Sequence, residues 1–164
     1  GILKMKNIRV GIGYDVHQFA EGKELWLGGI KIDATRGLLG HSDADVLIHA
    51  ICDALLGAVH LRDIGFHFPD TSADYKNIDS KILLRKVVDL IHSKGFCIGN
   101  IDVVVMAQQP KLNPYIELMQ NCLAEVMGIE EEDVTIKATT TEKLGFVGRE
   151  EGVAAQAVVL LYKE

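Results

Sequence analysis

The spacing of apolar and polar positions changes period several times along the chain, and each change marks an element. Residues 8–14 alternate as a strand does. Leu25-Trp26-Leu27 and Ile30-Lys31-Ile32 read as further strand, with Gly28-Gly29 between them marking a turn or bulge. Val46, Leu47, Ala50, Ile51, Ala54 and Leu55 then follow the i, i+3, i+4 rhythm of a helix capped by Ser42 or Asp43 and ending near Gly57. Residues 59–79 read mostly as loop, and loops of that length in a compact domain are usually functional. A second helix is expected from a cap at Ser80 to a stop at Gly95, with Ile82, Leu83, Val87, Leu90 and Ile91 on one face. The β-branched run 101–107 predicts a strand, and Pro114 opens a third helix that reaches Met127 and stops at Gly128. Residues 134–139 and 153–162 complete the strands. This order predicts an α+β fold, an α/β sandwich with a mixed sheet of about four to five strands and helices packed on one face.

Composition narrows the class. The 164 residues are 48% apolar and 24% charged, with a mean hydropathy of +0.17, which suits one globular domain and excludes a disordered chain. No run of about 18 apolar residues is present to span a membrane. Residues 1–6 are too short and polar for a signal peptide and read as a tag remnant ahead of Met5, or a disordered start. With 17 basic against 23 acidic residues, a net charge of −6 and a pI near 5.5, the chain is not expected to bind nucleic acid or an anionic membrane. Cys52, Cys97 and Cys122 lie far apart with no CxxC spacing, so the thiols read as small core residues in a reducing, cytoplasmic setting.

Three stretches carry chemistry. In Gly11-Ile12-Gly13-Tyr14-Asp15-Val16-His17, a strand that continues to His17 turns Asp15 and His17 the same way, where they can hold a divalent metal or simply face solvent. In the predicted helix, Asp45, His49 and Asp53 form an i, i+4, i+8 stripe flanked by Ile48, Cys52 and Leu56, and ionisable groups so covered need partners. Asp15, His17 and His49 together make the one-carboxylate, two-imidazole set of a catalytic zinc site with a fourth position open, and Asp45 or Asp53 is placed to fix a ligand imidazole. In the third stretch, 137–152, three consecutive threonines, several glycines and charged side chains offer donors to phosphate oxygens. Glu142 there suits a hard cation such as magnesium, although a threonine run at a strand end is also what β-propensity alone produces.

Taken together, the runs 13–17, 37–46, 53–58, 63–65, 68–71 and 137–146 closely resemble the 2-C-methyl-D-erythritol 2,4-cyclodiphosphate synthase family, in the family's order. The resemblance implies a lyase of non-mevalonate isoprenoid biosynthesis that closes a cyclic diphosphate and releases CMP. It implies Zn2+ on Asp15, His17 and His49, and Mg2+ or Mn2+ on Glu142. It places His41 and Thr140 as transition-state stabilisers, with His41 and Ser42 on the substrate diphosphate. Asp63, Ile64, Gly65, Phe68, Pro69, Asp70, Thr71 and Ser72 match the pocket for the methylerythritol phosphate part. Ala107, Lys111, Leu112, Asn113, Ala138, Thr139 and Thr141 match the cytidine diphosphate pocket, and Phe146 and Arg149 match further binding positions. Ser72 stands where relatives often carry Asp, and 108–113 varies in detail. The family is a homotrimer with active sites between subunits and an apolar central cavity that can hold an isoprenoid diphosphate. At the level of residues alone, a zinc phosphoesterase and a non-catalytic cytidine-nucleotide-binding oligomer stay open.

Overall fold

The computed structural model describes residues 6–164, so the reading of the first five residues as a tag remnant lies outside it. The order of elements is β1 (Ile8–Ala20), β2 (Leu25–Leu27), β3 (Ile30–Ile32), β4 (Gly37–Leu38), α1 (Val46–Ala58), α2 (Ile64–His67) and α3 (Ser80–Ser93). There follow β5 (Cys97–Met106), α4 (Ile116–Met127), β6 (Val134–Thr139), α5 (Gly145–Gly148) and β7 (Gly152–Tyr162). Five strands form a mixed sheet in the order β4-β1-β7-β5-β6, in which the β5–β6 pair is parallel and the other pairs are antiparallel. The hairpin β2–β3 is a separate two-stranded sheet turning on Gly28 and Gly29, both at positive φ. α1 lies on β1 and β7, α4 on β6, and α3 packs against α1 and α4. The expected α+β architecture is therefore present, with the small hairpin sheet added.

Boundaries differ where side chains take other partners. β1 continues past Tyr14 to Ala20, and β5 begins at Cys97 rather than near 101. α1 is capped by Asp45, whose Oδ1 accepts from Ile48 N, rather than by Ser42 or Asp43. The reason is local: Ala44 sits at φ +59, outside helical geometry, while Ser42 Oγ takes Ala44 N and Asp43 takes Ser80 N. Asp79, not Ser80, caps α3, accepting from Lys81 N at 2.9 Å. Pro114 lies in a 3-10 turn, Asn113–Tyr115, and the α-helix proper starts at Ile116. The segment 59–79 contains α2 and a 3-10 turn, Ala73–Tyr75. Cys52 is in the core as expected and Cys122 is half-buried, but Cys97, at the mouth of β5, is exposed.

Asp45 ties three pieces together. Its fully buried carboxylate accepts from Gly28 N and Ile48 N, each at 3.0 Å, and from Gly29 N at 2.8 Å. One side chain thereby satisfies a helix N-terminus and the amides of a hairpin turn, donors that would be costly to leave unpaired in the interior.

The contact that places the site is between β1 and α1. Arg9, Gly11, Gly13, Asp15 and His17 occupy the helix-facing side of β1, since successive strand residues alternate faces. Arg9 Nε donates to Ala58 O at 2.8 Å, at the C-terminal end of α1. A Cβ on Gly11 would lie 1.9 Å from Ala54 O, and one on Gly13 would lie 1.9 Å from Ala50 O. The helix backbone thus rests directly on the strand, and only hydrogen fits between them. On the opposite face β1 is apolar and bare: Val10 is 70% exposed and Ile12 63%, with Ile8, Tyr14, Val158, Leu160 and Tyr162 also exposed. Among the described residues no helix is long and apolar enough to cross a membrane.

Gly13→Ala is expected to push α1 off the sheet at a cost of about 2–3 kcal/mol, lowering the thermal midpoint by roughly 5–10 °C. Gly57→Ala, in the same helix but with open space around its added carbon, should leave the midpoint unchanged or raise it slightly. Equal losses from the two substitutions in a calorimetric scan would contradict this packing.

Candidate active site

β1 delivers Asp15 and His17 side by side, and α1 delivers His49 from above. Asp15 Oδ2 lies 3.0 Å from His17 Nε2 and 3.2 Å from His49 Nδ1, and the two ring nitrogens are 3.3 Å apart. Among the described residues this is the group of metal-ligating side chains that converges on one point. A tetrahedral zinc with bonds of about 2.0–2.1 Å would hold neighbouring ligand atoms about 3.3–3.4 Å apart, so the triangle already has nearly the required size.

The outer nitrogens are fixed as metal ligands require. His17 Nδ1 donates to Leu39 O at 2.9 Å, and a carbonyl can only accept, so in the neutral ring that a metal requires the lone pair is on Nε2, which faces Asp15 and His49. His49 Nε2 has Ser80 Oγ at 2.9 Å and Ser42 Oγ at 3.2 Å. Neither Asp45 nor Asp53 reaches an imidazole, contrary to the expectation from the helical stripe. Asp45 is spent on the cap and the hairpin, and Asp53 Oδ1 accepts from Ile64 N at 2.9 Å, anchoring α2. Sequence spacing pointed to the right helix face but not to Ser80, which is 31 residues away and carries no motif of its own.

Charge in the cluster is strongly coupled. Burial pushes the Asp15 carboxyl up, but hydrogen bonds and positive charge from His17 and His49 outweigh it and hold the group at about 2. Burial depresses His17, and the bond and charge of Asp15 more than reverse this, so its pKa is raised. For Asp53, burial dominates and, with the Asp63 and Asp15 carboxylates, lifts it to about 6 despite the Ile64 amide.

A cavity of about 350 Å3 opens beside the cluster, lined by Asp15, His17, His41, Ser42, His49, Asp53, Ile64, Gly65, Phe68, Pro69, Asp70 and Thr71, together with Tyr75, Ile78 and Leu83. His41 Nε2 donates to Ser72 O at 3.0 Å and so holds the 68–72 loop over the opening. Asp63 and Ser72 do not line it. Asp63 caps α2 through Phe66 N, and Ser72 caps the 3-10 turn through Asp74 N. Tyr75 and Ile78 carry no motif that marks them as site residues, and Leu83 reads only as part of the apolar face of its helix.

The remaining site residues lie elsewhere on the chain. A second cavity of about 420 Å3 is lined by Ala107, Gln108, Pro110, Lys111, Leu112, Asn113, Pro114, Ala138, Thr139 and Thr140. Beside it, Thr140 Oγ1 accepts from Glu142 N at 3.2 Å and Thr141 Oγ1 donates to Leu144 O at 2.6 Å. Glu142 is exposed and, with Lys143, takes up positive φ, which turns the chain sharply after β6. Phe146 and Arg149 line a third cavity of about 600 Å3 with Val16, Phe19 and Arg36. The strand register sets the spacing. Val16 and Met106 both pair with Ala154, and Met106 pairs with Thr139, so three strand spacings, about 14 Å, separate the end of β1 from that of β6.

Sheet, helix layer and cluster define a class: an α+β enzyme with an Asp-His-His set able to hold a metal in a polar pocket beside a second, threonine-lined pocket. Comparison with known proteins makes it specific. The model of the YgbB family matches residues 8–162. A 2-C-methyl-D-erythritol 2,4-cyclodiphosphate synthase from Bacteroides thetaiotaomicron is 65% identical over 157 residues, covering 96% of this chain and 99% of that protein. The synthase of that name from Parabacteroides distasonis is 67% identical over 156 residues, covering 95% and 97%. Among solved structures, IspF from Plasmodium falciparum in complex with CDP superposes with a TM-score of 0.85 at 37% identity, covering 97% of this chain and 98% of that one. The bifunctional IspDF from Campylobacter jejuni gives 0.92 at 46% identity, and there the match covers 96% of this chain but 42% of the larger protein. The chain belongs to the YgbB family, and like these relatives it is an enzyme, a lyase.

The charge pair yields a pH prediction for metal-stripped protein. Asp15, held at about 2 against its ordinary 3.8, contributes stability present above pH 4 and lost as pH falls toward 2. His17, raised above 6.5, contributes stability present below pH 6.5 and lost as pH rises through its folded value. In chelator, Asp15→Asn should therefore cost about 1–2 kcal/mol in urea unfolding between pH 4.5 and 6.5, and less on either side. A cost that grows below pH 4 has the wrong sign for this pair.

Proposed function

We propose that the chain is a single catalytic domain that converts 4-diphosphocytidyl-2-C-methyl-D-erythritol 2-phosphate to 2-C-methyl-D-erythritol 2,4-cyclodiphosphate with release of CMP. The observation that carries the reading is the convergence of Asp15 Oδ2, His17 Nε2 and His49 Nδ1 within 3.3 Å of one another at the wall of the pocket that also holds His41, Ser42 and the 64–71 segment. The names of the relatives supply the product, a cyclic diphosphate, and the family resemblance of the motifs supplies the substrate and the departing CMP. In it the 2-phosphate oxygen bonds to the β-phosphorus, and the bond from that phosphorus to the bridging oxygen breaks, leaving with CMP.

Asp15, His17 and His49 are the residues that would hold Zn2+. Bound there, zinc supplies positive charge that draws electron density from a diphosphate oxygen. Glu142 supplies one exposed carboxylate for Mg2+ or Mn2+, whose other ligands would be substrate oxygens and water, as is usual for magnesium at diphosphates. Ser42 and His41 orient the diphosphate, the loop Phe68–Pro69–Asp70–Thr71 with Ile64, Gly65, Asp63 and Ser72 holds the methylerythritol phosphate end, and Thr140 stabilises the charge that develops at the phosphorus. Ala107, Lys111, Leu112, Asn113, Ala138, Thr139 and Thr141 take the cytidine diphosphate, while Phe146 and Arg149 line the further cavity. Both reacting groups belong to one molecule, so holding its two ends in line is the main work of the protein.

The same reading makes the protein a cytoplasmic homotrimer. Its face on β1 and β7 exposes Ile8, Val10, Ile12, Tyr14, Val158, Leu160 and Tyr162 together, and a neighbouring copy is the natural cover for such a set. Three such faces would enclose an apolar space able to take an isoprenoid diphosphate. The three strand spacings, about 14 Å, between the Val16 and Thr139 positions of one chain are bridged if the nucleotide pocket of one subunit abuts the Asp-His-His pocket of the next.

Incubation with the cytidylyl substrate and magnesium, followed by phosphorus NMR, should give CMP and a cyclic diphosphate; an open-chain phosphate would mean hydrolysis instead. His49→Ala should stay folded, lose zinc and lose turnover by at least about 100-fold, and full activity in that variant after chelation would sink the assignment. Val10→Glu should leave the far-ultraviolet dichroism intact and shift sedimentation to the monomer. An unchanged sedimentation coefficient would remove this face from the assembly.

A further inference from the structure

His49 Nδ1 faces Asp15 Oδ2 at 3.2 Å and its Nε2 faces two hydroxyls, Ser80 Oγ at 2.9 Å and Ser42 Oγ at 3.2 Å; a ring that leaves Nδ1 free for a metal carries its one hydrogen on Nε2. The surroundings decide which hydroxyl receives it. Ser80 is fully buried, and its own O–H donates to Asp43 Oδ1 in a short hydrogen bond. Its lone pairs are therefore left for the imidazole. The Asp43 carboxylate is held in place to accept the Ser80 hydroxyl hydrogen, because it also accepts from Ser80 N at Oδ2, at 2.9 Å, and from Asp45 N at Oδ1, at 3.1 Å. It also sits at the N-terminus of α3, where negative charge is favoured. Ser42 Oγ already accepts from Ala44 N at 3.2 Å, and Ser42 lines the open pocket.

We infer that Asp43 and Ser80 form a proton-ordering relay, Asp43 carboxylate to Ser80 hydroxyl to His49 Nε2–H, that fixes His49 with a bare Nδ1 toward the metal position and leaves the Ser42 hydroxyl free for a phosphate oxygen. Both are positioning residues acting through His49. The inference rests on the assignment of Asp15, His17 and His49 as zinc ligands. The direction of the chain matters as much as its presence. With a carboxylate at one end, every hydrogen points toward Asp43, and electron density is pushed toward Nδ1. An amide in place of the carboxylate disturbs that order: whichever way it turns, its NH2 faces a backbone N–H from which the carboxylate accepted, Asp45 N at Oδ1 or Ser80 N at Oδ2, so the hold on the Ser80 hydrogen is weakened and the imidazole proton is no longer fixed on Nε2.

The test uses the full-length, metal-stripped protein. Zinc affinity is measured by competition with a chromophoric chelator, and the His49 tautomer by long-range nitrogen–proton NMR without metal. Wild type should show a proton on Nε2. Asp43→Asn and Ser80→Ala should each weaken zinc binding by about 10–100-fold, and in each the Nε2 proton signature should weaken or disappear. Ser42→Ala should keep zinc affinity within about twofold and raise KM. His49→Ala and wild type bound the scale: if they bind zinc alike, the ligand assignment itself is wrong. If wild type binds and His49→Ala does not, yet Asp43→Asn keeps wild-type affinity and tautomer, the relay is overturned, whether or not Ser80→Ala folds. Loss of the Nε2–H signature in Ser42→Ala instead would assign the role to Ser42 and overturn it equally.

Discussion

Helix α1 lies along β1 because the repeats of the two elements nearly match. Two strand residues advance about 6.8 Å and four helix residues about 6.0 Å. Arg9, Gly11 and Gly13 therefore meet Ala58, Ala54 and Ala50 in turn, with the chains running in opposite directions. Side chains on a helix lean toward its N-terminus, so His49, beside Ala50, reaches on to Asp15, the next inward residue after Gly13. The glycines bring helix and strand close enough for the imidazole and the carboxylate to touch. Larger residues on either side of that seam would separate the elements and open the triangle of ligand atoms.

That closeness also sets the electrostatic problem of the pocket. Asp15, Asp53 and Asp70 line it, Asp43 lies just behind, and the chain carries a net charge of −6. A pocket of this sign attracts cations and repels phosphate. The two imidazoles compensate Asp15, as its pKa of about 2 attests, but they do not offset the others. Entry of a diphosphate therefore requires positive charge from outside the chain, which the ligand triangle is shaped to hold. Asp53, lifted by burial to about 6, shows the same pressure: it takes up a proton more readily than an ordinary carboxylate.

Much of this was legible in the sequence, for identifiable reasons. Period-two alternation puts Asp15 and His17 on one face, helical periodicity buries the side of α1 that bears His49, and the motif runs order them in one family. The β-branched runs marked β6 and most of β5. Elements were misplaced where a polar side chain near a helix start had more than one possible partner. Ser42, Asp43, Asp45, Asp79 and Ser80 are all acceptable caps by residue type, and tertiary contacts assigned them. Asp45 won α1 because the hairpin amides of Gly28 and Gly29 converge on the same carboxylate. Ser80 was drawn inside the first turn of α3 by Asp43 and His49. The same competition hid the partners of the imidazole: spacing along one helix can offer Asp45 and Asp53, but only folding brings in a serine from another.

β1 also shows how one strand serves two purposes without conflict. Its even spacing sends Arg9, Gly11, Gly13, Asp15 and His17 to the helix, and Ile8, Val10, Ile12, Tyr14 and Val16 to the opposite, uncovered face. The inward set builds the ligand triangle, and the outward set is apolar from Ile8 to Val16, before the exposed Gln18. A slip of one residue in the pairing with β7 would exchange the two sets, burying isoleucine and valine under the helix backbone and turning the carboxylate and imidazole outward. The glycines forbid that slip, since any larger side chain at their positions meets Ala50 O or Ala54 O. The register that makes the pocket is thus the register that exposes the apolar face, and both are specified by the same eleven strand pairs from Ile8↔Tyr162 to Gln18↔Gly152.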